Sequence, residues 1–271
     1  MNMPTKLAFI GAGSMTEAII SGIVNKGFLK KEGIIVTNRS NQERLNFLQE
    51  KYQIHCVRDS KKAVKDAEII ILSMQPFDLK AAVQTMEKSV TANQLIISVA
   101  AGLSTEYISS LFHENVPVIR AIPNMPASIG LAATAIAKGE NASEEHVRVA
   151  KALFNTIGTT AVIEEEDMHI VTGLSGSGPA FVYYLAEAME KAAVELGLEI
   201  GAAKTLISQT FLGAGKMLLQ TNNSARELRK QVMSPAGTTE AGINTLVNYE
   251  FERIIFECIK SARDRSIELG R

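Results

Sequence analysis

The chain begins with an apolar run that leads into a glycine-rich turn. Residues 6–15 read Lys-Leu-Ala-Phe-Ile-Gly-Ala-Gly-Ser-Met, and an amphipathic helical pattern covers residues 14–26. A strand that ends at glycines and passes directly into a helix places free backbone N–H groups and the positive end of the helix dipole beside a phosphate group. Thr16 stands at the third glycine position of the usual G-x-G-x-x-G pattern. The succession of strand, turn and helix still predicts the first unit of a dinucleotide-binding fold.

The second apolar run, residues 33–37, ends without an acidic residue. Asn38, Arg39 and Ser40 follow it. In NAD-binding versions of this fold, an Asp or Glu at this place binds the ribose 2′-hydroxyl group, and its carboxylate would repel a 2′-phosphate. A guanidinium group and a hydroxyl can instead bind that phosphate through charge-assisted hydrogen bonds. We therefore predict NADPH as the cofactor, with NADH as an alternative.

Length and composition restrict the class of protein. The chain has 271 residues, of which 46% are hydrophobic, and its formal net charge is −1. This length favours two domains, and this composition is that of a soluble globular protein rather than a nucleic-acid-binding one. No apolar stretch is suited to crossing a bilayer, so we expect a cytoplasmic protein without a membrane partner. The two cysteines and four histidines lack the spacing of metal ligands, and we expect no metal.

The hydrophobic pattern changes near residue 164. Up to about residue 163, short β-branched runs alternate with helical patterns, which is typical of an α/β fold with a doubly wound, mostly parallel Rossmann-type sheet. We interpret the acidic cluster at 164–167 as a solvated linker and helix start. Beyond it, the pattern predicts helices only, at residues 178–196, 201–220, 225–232, 238–248 and 251–269.

Two domains follow from this change. We predict an NADP(H)-binding domain over residues 1–163 and a helical domain for substrate binding and dimerisation over residues 164–271. About a hundred residues of helices with such apolar faces cannot cover those faces alone. The pattern therefore predicts an obligate dimer that packs through the helical domain.

Two further loops follow predicted strands of the first domain. Ser73, Met74, Gln75 and Pro76 come directly after a strand, where an open parallel sheet binds its ligand, and we favour a cofactor contact over a plain strand-to-helix connection. The loop at residues 120–126 carries two prolines around Asn124, whose amide could reach a nicotinamide carboxamide. A passive crossover between the domains explains that loop equally well.

A third candidate loop, residues 233–240, interrupts the helical pattern. The N–H groups of Ser234, Gly237 and Thr238 at a helix start would form a site for a carboxylate. The hydroxyl of Thr238 or Thr239 could then serve a second polar group. An ordinary helix-capping loop is the alternative interpretation.

Four segments together resemble the pyrroline-5-carboxylate reductase family over essentially the whole chain. They are TGLSGSGPAF at 172–181, QTFLGAGKM at 209–217, SPAGTTEAG at 234–242 and PNMPA at 123–127. The resemblance implies a Rossmann domain and a helical dimerisation domain, with dimers that often assemble into decamers. It also implies reduction of a small cyclic imine, 1-pyrroline-5-carboxylate, by NADPH or NADH to give L-proline, which is the last step of proline biosynthesis.

The resemblance also implies roles for single residues. Ile10, Gly11, Ala12, Gly13, Ser14 and Met15 would bind the pyrophosphate, Asn38, Arg39 and Ser40 the adenosine ribose and its phosphate, and Ser73, Met74, Gln75 and Pro76 the nicotinamide side. Ser234, Gly237 and Thr238 would hold the substrate carboxylate, and Thr239 would hydrogen-bond the ring nitrogen as the catalytic residue. Three residues depart from the commoner family pattern, in which Gln75 is a lysine, Ser14 an asparagine and Ala236 a glycine.

Two other functions remain open at this point. A reductase of the β-hydroxyacid dehydrogenase type would need a lysine on the first long helix of the second domain, and Lys191 is the nearest one. A catalytically weak or inactive NADP(H)-binding homologue with an assembly or sensing role is favoured only by Gln75. NADPH binding without proline formation would distinguish this homologue from the reductase.

Overall fold

The computed structural model describes residues 4–270. The strands are β1 (Leu7–Ile10), β2 (Ile34–Thr37), β3 (His55–Val57), β4 (Ile69–Leu72), β5 (Leu95–Ser98), β6 (Val118–Ile122), β7 (Ala132–Lys138) and β8 (Gly158–Val162). The α-helices are α1 (Ser14–Asn25), α2 (Gln42–Tyr52), α3 (Ser60–Val64), α4 (Pro76–Gln84), α5 (Thr105–Ser110), α6 (Glu144–Phe154), α7 (Met168–Val171), α8 (Gly178–Glu195), α9 (Ile200–Gln220), α10 (Ala225–Gln231), α11 (Thr238–Asn248) and α12 (Phe251–Leu269).

The strands form one mixed sheet. Within residues 4–270 its order is β3-β2-β1-β4-β5-β6-β7-β8, and the neighbouring pairs are parallel except for β6 and β7, which are antiparallel. From β1 the chain first builds outward through β2 and β3 and then returns to β4 on the other side of β1. The predicted doubly wound, mostly parallel sheet is confirmed. The crevice where the strand order reverses, between β1 and β4, is where such sheets bind ligands.

The strand register brings three of the candidate loops to one edge of the sheet. Ile10, the last residue of β1, pairs with Thr37 at the end of β2 and with Leu72 at the end of β4. The residues that follow these three strand ends therefore emerge side by side.

The central strands are buried on both faces. In β1, Leu7 and Phe9 pack into one hydrophobic cluster, whereas Ala8 and Ile10 pack into a second one. The neighbouring strands β4 and β5 alternate between the two clusters in the same way. Because helices cover both faces of such a sheet, its strands have continuous apolar runs without alternating polar residues.

Short polar side chains set the start of several helices. Asn41 accepts a hydrogen bond from the Arg44 backbone N–H at the start of α2, and Ser104 caps α5 in the same way. Ser143 and Ser224 form capping boxes at α6 and α10. These bonds satisfy N–H groups that have no partner inside the helix.

The helices after residue 177 agree with the predicted ranges to within one or two residues. The described residues form two compact units, each with most of its contacts within itself. The first extends up to Ser177 and resumes at Lys260, and the second covers Gly178–Ile259. The predicted division into functional domains after residue 163 stays a prediction.

Two observations explain why the first compact unit extends beyond residue 163. Met168 of α7 is buried with Ile122, Ala135 and Ala137 of the sheet. In addition, the His169 ring nitrogen Nδ1 and the Ser266 hydroxyl are 2.9 Å apart. The residues after 163 and the end of α12 therefore pack with the sheet.

The interpretation of the acidic cluster as a solvated linker is wrong for Glu165. Its carboxylate accepts hydrogen bonds from the backbone N–H of Thr105, at 2.8 Å, and from the Thr105 hydroxyl. It also lies 3.5 Å from the guanidinium of Arg120, which is fully buried in β6. Burial lowers the pKa of Arg120, and Glu165 opposes that shift. Periodicity could not reveal this pair, because its partners are far apart in the chain.

Among the described residues, no helix is long and apolar enough to cross a membrane. Over the same residues, no three His, Cys, Asp or Glu side chains lie together as they would around a metal ion. Cys56 and Cys258 are free thiols and are half-buried. Burial raises the pKa of Cys56 to about 11, so this thiol is protonated at neutral pH.

Candidate active site

Gly11 is required by the backbone of the protein itself. Its φ is 116°, in the left-handed region that favours glycine, and its N–H group donates to the Thr37 carbonyl at 3.0 Å. A Cβ atom at this position would lie 2.3 Å from the Ser73 carbonyl oxygen. The first glycine of the turn therefore allows β1, β2 and the loop after β4 to come together.

Gly13 has no such structural requirement. Its φ of −73° is accessible to any residue, and a Cβ atom there would meet no atom within 4 Å. It is the N-cap of α1, so the first N–H groups of that helix lie beside it without intrahelical acceptors. Open space in front of a helix N-terminus fits the pyrophosphate of a dinucleotide.

Thr16 replaces the third glycine of the motif and makes bonds that a glycine could not. Its buried hydroxyl lies 2.9 Å from the Gly11 carbonyl and 2.9 Å from the Ser73 hydroxyl. Thr16 thus ties the glycine turn to the loop after β4. The departure from the motif is a structural variation that leaves the turn in place.

Arg44 of α2 supports the glycine turn from the outside. Its Nε donates to the Ala12 carbonyl at 2.8 Å, and its Nη2 lies 2.5 Å from Glu17. Burial alone would raise the pKa of the Glu17 carboxyl, but hydrogen bonds from Lys51 and Arg44 lower it below its usual value. The Glu17 carboxylate is therefore ionised at neutral pH. Sequence analysis missed Arg44, because nothing in the pattern of α2 connects it to a turn 30 residues earlier.

A cleft of about 590 Å³ lies at the carboxyl ends of β1, β2 and β4. Six predicted cofactor residues line it, namely Ile10, Gly11, Asn38, Arg39, Ser40 and Met74. The other predicted cofactor residues do not line this cleft. Ala12 is buried under the turn, and Gly13, Ser14 and Met15 lie at the start of α1. The Ser73 hydroxyl is hydrogen-bonded to the Thr16 hydroxyl. The roles proposed for all these residues stay predictions.

The loop after β2 is held by its own side chains. The Asn38 carbonyl oxygen Oδ1 accepts hydrogen bonds from the backbone N–H groups of Ser40, at 3.1 Å, and Asn41, at 2.8 Å. The exposed Arg39 side chain lies 3.4 Å from the carboxylate of Asp78 in α4. Asn38 shapes the loop, and Arg39 supplies positive charge at the cleft.

The cleft also contains charged residues that sequence analysis missed. Arg58, Asp59 and Lys61 line it from the segment after β3, and Asp78 lines it from α4. Nη2 of Arg58 donates to the Arg39 carbonyl at 2.8 Å. β3 has only three residues, none of them fully buried, so no hydrophobic run indicated a strand that ends at this edge.

Gln75 and Pro76 begin α4 and are absent from the lining of this cleft. Gln75 is the exposed N-cap and makes no capping bond with its side chain, and Pro76 occupies the first turn of the helix. Proline is well suited to that place because no intrahelical bond is lost there. The Gln75 substitution thus leaves the charged lining of the cleft unchanged.

The Asn124 side chain links two other segments of the chain through hydrogen bonds. It is buried, its Nδ2 donates to the Ser175 carbonyl at 3.0 Å, and its Oδ1 accepts from the Ala133 backbone N–H at 2.9 Å. Ser175 lies in a π-helical segment, Thr172–Gly176, that precedes α8. These two bonds favour the structural interpretation of the loop at 120–126 over a contact with a nicotinamide.

The candidate substrate loop of the second unit contains a tight turn. Gly237 N–H donates to the Ser234 carbonyl at 2.9 Å, and a Cβ atom on Gly237 would lie 2.3 Å from the Ser234 hydroxyl oxygen. Between them, Pro235 precedes Ala236, whose φ of 57° is unusual for a residue other than glycine. The Ala236 N–H group donates to the Glu240 carboxylate at 2.8 Å. The N–H of Gly237 is therefore used by the turn itself.

α11 begins directly after this turn. The N–H groups of Thr238 and Thr239 belong to its first turn and have no acceptor inside the helix. Neither threonine hydroxyl has a hydrogen-bond partner among residues 4–270. These two residues can donate to a bound anion or polar ligand, and the predicted roles of Ser234, Gly237, Thr238 and Thr239 stay predictions. Lys191 of α8, by contrast, is exposed and forms an ion pair with Glu187.

Two family models match separate parts of the chain. Residues 6–102 match the family model described as NADP oxidoreductase, coenzyme F420-dependent. Residues 165–269 match the model described as pyrroline-5-carboxylate reductase dimerisation. The fold and the matches together define a Rossmann-type oxidoreductase with a helical C-terminal domain.

Relatives identify the particular family. Pyrroline-5-carboxylate reductase 2 of Bacillus subtilis is 44% identical over 97% of this chain and 95% of that protein. A pyrroline-5-carboxylate reductase structure from Coxiella burnetii has a TM-score of 0.93 at 31% identity and covers 98% of this chain and 99% of its own. The Plasmodium falciparum enzyme, solved with NADP bound, has a TM-score of 0.87 at 24% identity, covers 98% of each chain and shows the same fold. The chain belongs to the pyrroline-5-carboxylate reductase family.

Proposed function

We propose that this protein reduces 1-pyrroline-5-carboxylate to L-proline with NADPH, the last step of proline biosynthesis. The observation that carries this proposal is that the similarity to a named pyrroline-5-carboxylate reductase extends over both units of the chain at 44% identity. A shared cofactor domain alone would leave the substrate open. Here the loop 234–242, to which we assign the substrate-binding residues, belongs to the matched length as well.

NADPH is the cofactor that the cleft supports best. The place after β2 where NAD-binding domains have a carboxylate is occupied by Asn38, and Arg39 follows it. Gly13 leaves open space before α1 for the pyrophosphate. The NADP bound to the structure from Plasmodium falciparum agrees with this choice. NADH would lack the 2′-phosphate contact and bind more weakly.

On the substrate side, the N-terminus of α11 is suited to a carboxylate. The N–H groups of Thr238 and Thr239 and the helix dipole favour a negative charge. Gly237 shapes the turn that exposes them. Of the three amides predicted to bind the carboxylate, that of Gly237 donates within the turn, which leaves those of Ser234 and Thr238 for the contact.

Thr239 would orient the imine nitrogen. Bound NADPH supplies a hydride from nicotinamide C4 to the imine carbon, and the electron pair of the C=N double bond remains on nitrogen. An imine that enters protonated needs no further acid, so a threonine hydroxyl that orients the nitrogen is sufficient. The protein acts mainly by holding donor and acceptor in contact.

We also propose a homodimer through the second unit, with higher assemblies such as decamers built from it. Large apolar side chains of α8, α9, α11 and α12 are exposed on a single chain. The matched model of residues 165–269 is described as a dimerisation domain. A dimer would cover these faces.

The reaction can be tested with purified protein by following NADPH absorbance in the presence of 1-pyrroline-5-carboxylate and by measuring proline. Proline formation with NADPH, and slower formation with NADH, would support the proposal. NADPH binding without proline formation would overturn the activity and favour a non-catalytic role.

Thr239→Ala should lower kcat by about 10- to 100-fold, because one hydrogen bond that positions the reacting nitrogen is lost. Cofactor affinity, measured by calorimetry, should change little. Thr239→Ser retains the hydroxyl and is the matched control, which should keep most of the activity. Wild-type kinetics in Thr239→Ala would remove this role from Thr239.

A further inference from the structure

The cofactor cleft has more positive charge than the Asn38–Ser40 loop alone supplies. Its charged lining residues are Arg39, Arg58 and Lys61 against Asp59 and Asp78. Asp59 is the N-cap of α3, and its carboxylate accepts a hydrogen bond from the Lys61 backbone N–H at 3.0 Å. The remaining carboxylate, Asp78, lies 3.4 Å from Arg39. Arg39, the predicted phosphate ligand, is therefore partly neutralised before any cofactor binds.

Arg58 is placed to complete this phosphate site. Nη2 of Arg58 donates to the backbone carbonyl of Arg39 at 2.8 Å, which brings the guanidinium of Arg58 to the loop after β2. Among the residues that the structure describes, Arg58 has no carboxylate partner. A guanidinium has five N–H donors, so donors remain for a ligand. The side chain lines the cleft and is exposed, and can therefore approach a bound phosphate.

On the basis of the proposed NADPH-dependent function, we propose that Arg58 is a specificity-determining residue that binds the 2′-phosphate together with Arg39. Asp78 weakens binding of the 2′-phosphate, because its carboxylate is the counter-charge of Arg39. A phosphate monoester carries more than one negative charge at neutral pH and forms strong bonds to guanidinium groups. With Arg39 held by Asp78, the unpaired Arg58 contributes much of the preference for NADPH over NADH.

The test is equilibrium binding of NADP⁺ and NAD⁺ by isothermal titration calorimetry, which needs no turnover. Arg58→Gln should weaken NADP⁺ binding about tenfold, as expected for one charge-assisted hydrogen bond, and leave NAD⁺ binding within about twofold. Lys62→Gln is the matched control. It also removes one positive charge, but Lys62 lies in α3 outside the cleft lining, so neither the NADP⁺ nor the NAD⁺ affinity should change. Asp78→Asn should strengthen NADP⁺ binding about threefold, because Arg39 is released.

Each result has one interpretation. If Arg58→Gln weakens both cofactors equally, Arg58 only supports the loop through the Arg39 carbonyl, and the proposal is overturned. Unchanged NADP⁺ affinity in Arg58→Gln overturns it as well. A wild-type protein that binds NADP⁺ and NAD⁺ equally would overturn the proposal while leaving the reductase activity open. Selective NADP⁺ binding without proline formation would instead overturn the reaction and leave the role of Arg58 intact.

Discussion

The two compact units differ in how they bury their apolar side chains. The first unit contains two large buried clusters, one on each face of the sheet, and its central strands are fully covered. In the second unit, among the described residues, only Ala203 and Ile207 are buried, whereas Tyr184, Leu206 and Leu219 are 73%, 61% and 81% exposed. The first unit completes its core within one chain. The second presents a surface that a second copy of the chain would cover.

The largest effect should come from the core of the sheet. Ile71 of β4 is 0% exposed, and Ile71→Ala should lower the free energy of unfolding by about 2–5 kcal/mol, because it leaves a cavity in a packed interior. Leu206→Ala makes a similar truncation on an exposed face of α9. Urea unfolding at several protein concentrations would compare the two variants.

The dependence on concentration separates the two units. The loss for Ile71→Ala should be the same at all concentrations, since its contacts lie within one chain. The loss for Leu206→Ala should be small in dilute protein and grow where dimers form. A cost for Leu206→Ala that equals the cost for Ile71→Ala in dilute protein would contradict the difference between the units.

A charge on the exposed face should break the proposed dimer. Leu206→Glu would bury an unpaired carboxylate at the interface and should raise the dimer dissociation constant about 100-fold or more. Ser208→Glu lies two residues further along α9, about 200° around the helix, and is the matched control. Sedimentation or light scattering would give the masses. An unchanged mass for Leu206→Glu would place the interface elsewhere.

The fold was predictable because each unit has a simple periodicity. The buried strands of the sheet are continuous apolar runs, and the ranges of the helices after residue 177 follow from their apolar spacing. β3 was missed because it is three residues long. The role of Glu165 was missed because it depends on Arg120 and Thr105, which are distant in the chain. Periodicity reports local structure, whereas such pairs arise only in three dimensions.

The candidate site was predictable where backbone geometry demands particular residues. Gly11 is such a position, because its φ of 116° favours glycine and a Cβ atom there would lie 2.3 Å from the Ser73 carbonyl oxygen. At Gly237, a Cβ atom would displace the Ser234 hydroxyl. Both glycines belong to recognisable motifs. Arg44 and Arg58 act through side chains that reach across from other elements. No spacing along the chain marks them. Their contribution could be read only from the structure.

The smallest effect concerns backbone strain, which both units contain. Ala236 in the second unit and Gln53 in the first have φ values of 57° and 55°. A left-handed conformation costs a residue with a Cβ atom about 1–2 kcal/mol, which a glycine avoids. Glycine also makes the unfolded chain more flexible, which lowers the free energy of unfolding by about 0.5–1 kcal/mol and offsets part of this gain. Ala236→Gly and Gln53→Gly should therefore each stabilise the protein by about 0.5 kcal/mol, seen as a small rise in Tm.

The two glycine variants also compare the units. If the second unit is completed only in the dimer, the gain from Ala236→Gly should appear in the unfolding transition that depends on protein concentration. The gain from Gln53→Gly, which closes α2 beside the sheet, should appear in the transition that does not. Thermal unfolding at two concentrations measures both. A lower Tm for Ala236→Gly would mean that the Ala236 methyl group makes contacts worth more than the strain, which would place it inside an interface.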